Sequence, residues 1–165
     1  LDKYNIPGYG VAIGSGKIII AIDPQHKDWE KFLSYALAHE YHHSTWISRN
    51  WVSSDFSLIE YLVFFFFFYA FAKSLSDSTG LYPVKFISRE QETQVWDLIK
   101  PELFEKGHKR INKVMFGNDD IPLGSGYAVG YAIVSSFKQN NPDYSDFAII
   151  DLEPKLILEL SGYYK

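Results

Sequence analysis

The chain has 165 residues, of which 47% are hydrophobic and 22% charged, and 20 acidic against 16 basic side chains give a net charge of −4. The length fits one domain around one core, and the composition excludes a disordered or fibrous chain. The absence of any Lys/Arg-rich run argues against nucleic acid as a partner; the absence of cysteine removes disulfides and thiolate cages, so any metal must be held by His, Asp or Glu.

Aromatic residues make up 18% of the chain, which suits either a core of large flat side chains or a groove whose walls stack on a substrate. The longest apolar stretch, Tyr61 to Ala72, is shorter than the roughly 20 residues of a spanning helix and reads as a buried helix, so no transmembrane segment is expected. A start at Leu1 instead of Met reads as a fragment or processed form of a longer chain. Compartment, whether cytoplasmic or secreted, and oligomeric state leave no mark in the composition.

In chain order, the β-branched run Ile18 to Ile22, framed by Gly14-Ser15-Gly16 and Asp23-Pro24, predicts a strand, with Tyr9 to Ile13 as its hairpin partner. From Asp28, Trp29, Phe32, Leu33, Ala36, Leu37, Glu40 and His43 recur at helical spacing to about Trp46. A second helix is expected from Ser54-Asp55, where either side chain can cap free amides, to about Ser76. Asp77 to Ser88 reads as loop. Glu90 to Ile99 and Glu102 to Val114 read as helices separated by Pro101, and Phe116 to Asp120 as a turn. Tyr127 to Lys138 is a further helix, and a last short one follows Pro154. A single, mainly α domain over residues 1–165, with a small N-terminal β-sheet, is the architecture these elements predict.

His39, Glu40 and His43 form the pattern His-Glu-any-any-His within the first helix. Residues four apart on a helix differ by about 40° in direction, so two imidazoles can point at one zinc ion at roughly 2.0–2.1 Å each. Glu40, turned by about 100°, can take a proton from a water that zinc acidifies without itself being a ligand. The chemistry predicted is metal-assisted amide hydrolysis with Zn2+ as cofactor and a peptide or protein as substrate. Histidines that merely fill surface or core are the alternative. His42 lies off the ligand face, and is expected to be exposed or to support a ligand; His26 and His108 read as surface residues. Gly126 and Gly130, four apart, make a groove for a second helix or a substrate backbone. Tyr127 and Tyr131 share one face and are candidate donors to an oxyanion, beside the plain alternative of helix packing; Tyr163 is a third candidate.

Three blocks in order resemble the YjaZ-like family of predicted zinc-dependent proteases: Ile18 to Asp23-Pro24 with the helix ending Ala38-His39-Glu40-Tyr41-His42-His43, then Pro122 to Val134, then Leu160-Ser161-Gly162-Tyr163. The resemblance implies a zincin-like, specifically gluzincin-like, peptidase fold whose second helix supplies a glutamate as third zinc ligand. Here the chain departs from the pattern, because alignment on Phe71-Ala72 puts Phe65 at that glutamate, and a phenyl ring cannot bind zinc. The run Phe64 to Phe68 is open to three readings: an altered stretch, an uncertain assignment, or loss of the site. Glu60 is the nearest carboxylate on that helix, but five residues turn a helix by about 140° and aim it elsewhere. Asp55 reads better as a cap.

Two functions are therefore expected in order. The first is a zinc peptidase with ligands His39, His43 and a candidate Glu60, base Glu40, and Tyr127 or Tyr131 as donor. The second is a catalytically impaired relative that binds a peptide or protein partner in an aromatic-rich groove. A plain helical interaction domain, the third reading, predicts that His39 and His43 do not converge.

Overall fold

The computed structural model describes residues 7–49, 56–64, 66, 87–149 and 151–163. Contacts divide the chain into two compact units, Leu1–Val52 with Phe68–Pro83 and Ser53–Phe67 with Val84–Lys165. The described residues are mainly helical, with one two-stranded antiparallel sheet.

In the first unit, β1 (Gly8–Gly14) and β2 (Lys17–Ile22) form the expected hairpin, with Tyr9 opposite Ala21 and Val11 opposite Ile19. A two-stranded hairpin is marginal alone, and this one packs along α1 (Trp29–Arg49). The approach is close. A side chain at Gly8 would collide with the Phe32 ring and the Ala21 carbonyl, and the Gly16 amide in the hairpin turn donates to Ser44 Oγ at 3.0 Å. Phe32, Tyr35, Ala36 and Trp46 are buried on α1. Leu37, read as part of the apolar face, stands 50% exposed, because Tyr35 and Ala36 fill the covered side.

The second unit is built around α5 (Ser125–Asn140), which is buried at eight of its residues, as befits a central core helix. Residues 58–64 and 66 form α2. Its start is a correction to the predicted Ser54-Asp55 cap: Phe56 is not helical, and Ser57 and Glu60 cap the helix instead. Ser54 and Asp55 themselves, the predicted continuation to Ser76 and the loop residues 77–86 lie outside the described residues. α3 (Arg89–Ile99) opens with a capping box of Ser88 and Gln91 and ends in a 3₁₀ turn, Lys100–Glu102.

The predicted helix from Glu102 begins only at His108, as α4 (His108–Phe116). Gly107 at φ +138° breaks it, and the preceding segment is occupied in binding the start of α2, through Leu58 N–H to the Glu105 carbonyl and Gly107 N–H to the Phe56 carbonyl. α6 (Asp146–Ile149), which the pattern did not signal, and α7 (Pro154–Ser161) complete the chain. Amides of Asn140 and Asn141 bind the Ser161 and Leu160 carbonyls, which closes the C-terminal end of α7 onto α5.

Candidate functional site

α1 runs without Gly or Pro through Ala38 to Ser44, so His39 and His43 stand one turn apart on neighbouring backbone positions. Their Nε2 atoms lie 3.1 Å apart. Tyr35, one turn earlier and buried, stacks on the His39 ring at 5.7 Å and 23°, and His39 meets His43 edge-on at 4.8 Å and 70°. Burial, and then the neighbouring His39 and His42, hold the His43 pKa well below the ordinary imidazole value, so the ring is neutral at pH 7. A neutral imidazole is the form that binds metals. His42 is buried, which corrects the first of its two expected roles, exposed or supporting a ligand, and leaves the second open: it falls on one stripe of α1 with Tyr35 and Trp46, and both are covered.

Glu40 is 7% exposed and faces the hairpin. Burial raises its carboxyl from 4.5 to about 7, against the opposing effect of a hydrogen bond from the Ala12 amide. The direction of that amide follows from the sheet. Asp23 N–H donates to the Pro7 carbonyl, so hydrogen-bonded pairs alternate from there, and the N–H groups of Gly10 and Ala12 point away from β2. A carboxyl that ionises near neutrality can both take and return a proton there.

The fit of the two histidines to zinc is geometric. Two nitrogens each about 2.05 Å from one ion, at a near-tetrahedral angle, are roughly 3.3 Å apart. The observed 3.1 Å separation is close to that, without any movement of α1. Among the described residues no group of three or more His, Cys, Asp or Glu side chains gathers around one point.

In the second unit, Glu60 Oε2 accepts from the Ser57 amide at 2.6 Å and the Ser57 hydroxyl at 2.5 Å, while Ser57 Oγ accepts from the Glu60 amide. This is a capping box, with Glu60 at its third helical position. Phe65 lies outside the described residues. Gly126 and Gly130 are helix contacts: a side chain at Gly126 would strike Met115 Sδ, and one at Gly130 the Phe66 ring and the Leu62 carbonyl. Tyr127 meets Phe66 edge-on at 5.7 Å, and burial raises its pKa, which keeps the hydroxyl protonated. Tyr61, which the sequence did not flag, is pushed up to about 12, first by burial and then by Tyr127. Tyr131 is half-buried. Tyr163 is spent: its hydroxyl donates to Glu92 at 2.8 Å and its ring meets Trp96 at 5.1 Å. His108 is exposed, as expected, and His26 is half-buried, with Nδ1 accepting the Asp28 amide before α1.

Gly10 and Ala12 are the site residues that the sequence reading missed. Their signal was present, since a glycine inside a strand marks a close backbone approach. No helix of the described residues is long and apolar enough to cross a membrane. No curated protein and no solved structure matches the chain. Residues 7–159, from the hairpin through His39 and His43 to α7, match the model of a family described as predicted Zn-dependent protease (DUF2268), and the chain belongs to that family.

Proposed function

We propose that the chain is a zinc-dependent peptidase in which His39 and His43 hold the metal through Nε2 and Glu40 is the general base. The observation that carries the reading is the 3.1 Å convergence of the His39 and His43 Nε2 atoms beside a buried carboxyl that ionises at about 7. When bound, zinc supplies Lewis acidity, making water more acidic and drawing electrons from a peptide carbonyl. Glu40 takes the proton of the attacking water on its carboxylate and returns it to the departing amine. Burial keeps that carboxyl poised between its two protonation states at neutral pH. Tyr127 or Tyr131 is our candidate for hydrogen-bond donor to the oxyanion. The hairpin against a helix with this motif is read as the core of a zincin-like, gluzincin-type fold, in keeping with the resemblance to YjaZ-like proteins.

The third ligand sets the strength of the site. We read Glu60 as a helix cap, because its carboxylate already serves Ser57, and Phe65 as the place where the expected glutamate is lost. Zinc held by two histidines and water binds more weakly than zinc in a full ligand set. That loss also favours the second reading, a catalytically impaired relative that binds a peptide or protein partner.

Metal analysis of the chain purified without added zinc, with His39→Ala and Phe65→Glu alongside, tests both. The peptidase reading expects substoichiometric zinc in the parent, none in His39→Ala, more in Phe65→Glu, and chelator-sensitive cleavage of a peptide. Zinc content unaffected by His39→Ala would end it, and partner binding without stable metal or cleavage would establish the second reading.

A further inference from the structure

We infer that Gly10 is a positioning residue for Glu40: strand β1 lacks a side chain at this position so that the Glu40 carboxylate can lie against the strand and accept the outward amide of Ala12. This rests on the proposed role of Glu40 as base.

Two independent observations meet here. A Cβ at Gly10 would stand 2.6 Å from Glu40 Cγ, 2.8 Å from Oε1 and 3.0 Å from Cδ, so the space a side chain needs is already filled by Glu40. The hydrogen-bond alternation of the hairpin separately aims the Ala12 amide away from β2, where Glu40 satisfies it. Among the described residues no strand pairs with that edge of β1, so the carboxylate and the strand hold one another.

Gly8 and Gly10 face the same helix with different consequences. At Gly8 the colliding atoms are the Phe32 ring and the backbone of Ala21 and Ile22, which cannot give, so that glycine serves packing. At Gly10 the three nearest atoms all belong to the outer part of the Glu40 side chain, which can turn aside. A methyl group there displaces Glu40 and leaves the hairpin standing. The base is thereby moved while His39 and His43, on the adjacent face of α1, keep their places.

Amide hydrogen exchange on the full chain without metal, for the parent, Gly10→Ala, Glu40→Gln and Glu40→Ala, is the test. In the parent the Ala12 amide should exchange slowly although no described strand pairs with it. Gly10→Ala and Glu40→Ala speed it by roughly tenfold, the effect of losing one hydrogen bond. Glu40→Gln, which keeps an accepting oxygen, retains the protection, and the Val11 and Ile19 amides, bonded across the hairpin, exchange as before in all four. Zinc affinity of Gly10→Ala, by competition with a chromophoric chelator, stays at the parent value, while kcat on a fluorogenic peptide falls about 100-fold with KM unchanged. Unchanged Ala12 exchange in Gly10→Ala overturns the inference, as does loss of protection across the whole hairpin, which would make Gly10 a packing residue. A parent that cleaves nothing but shows this exchange pattern would sink the peptidase reading and leave the positioning of Glu40 by Gly10 standing.

Discussion

Glu40 and Glu60 are the same residue type on successive helices, and the two regions use them in opposite ways. Glu60 sits at the start of α2 and spends its carboxylate on the amide and hydroxyl of Ser57, three residues away. Glu40 sits in mid-helix, where all backbone amides are already paired, and its carboxyl is buried against a strand that offers one amide. Local satisfaction stabilises a helix end; incomplete satisfaction in a buried place leaves a group that gains and loses protons near neutrality. On the proposed function, the contrast separates a structural carboxylate from a chemical one by its partners, not by its sequence neighbours.

Glu40→Gln gives the largest effect: a kcat loss of about 10²- to 10⁴-fold with zinc retained, measured as chelator-sensitive cleavage of a fluorogenic peptide, marks Glu40 as a proton carrier. Its second effect is on stability without metal. Below pH 4.5 both the folded and the unfolded chain carry Glu40 protonated; as pH rises to about 7 the unfolded chain ionises first, and the folded state loses up to about 3 kcal/mol. Urea titrations should therefore find Glu40→Gln more stable than the parent at pH 8 and matched to it at pH 4. A gain that persists at pH 4 would mean that the benefit is not electrostatic.

Gly130→Ala tests the second unit as pure packing. The added methyl meets the Phe66 ring and the Leu62 carbonyl, and thermal unfolding should show a loss of about 1–3 kcal/mol without change in zinc affinity. The smallest effect belongs to Glu60. Glu60→Ala removes half of the capping box and should cost about 1 kcal/mol, whereas Glu60→Gln, which can still cap, should cost little. Both should leave zinc affinity untouched; a fall in Glu60→Gln would make that carboxylate a ligand and erase the contrast with which these predictions began.

Much of the fold was legible because its signals are local. Breakers around Ile18 to Ile22 gave the hairpin, helical spacing gave α1, and Pro154 gave the start of α7. Misplaced boundaries have long-range causes: α4 starts late because residues 103–107 hydrogen-bond the beginning of α2, and His42 is buried because the stripe it shares with Tyr35 and Trp46 is covered.

The sequence by itself determined that two imidazoles share a helix face, since a four-residue step is nearly one turn whatever surrounds it. Tertiary structure decided which carboxylate is buried and which is satisfied, why a strand needs glycine at position 10, and that Tyr163 is spent on Glu92. Those outcomes depend on groups distant in the chain being brought within hydrogen-bond or van der Waals range, and no spacing rule along one helix encodes that.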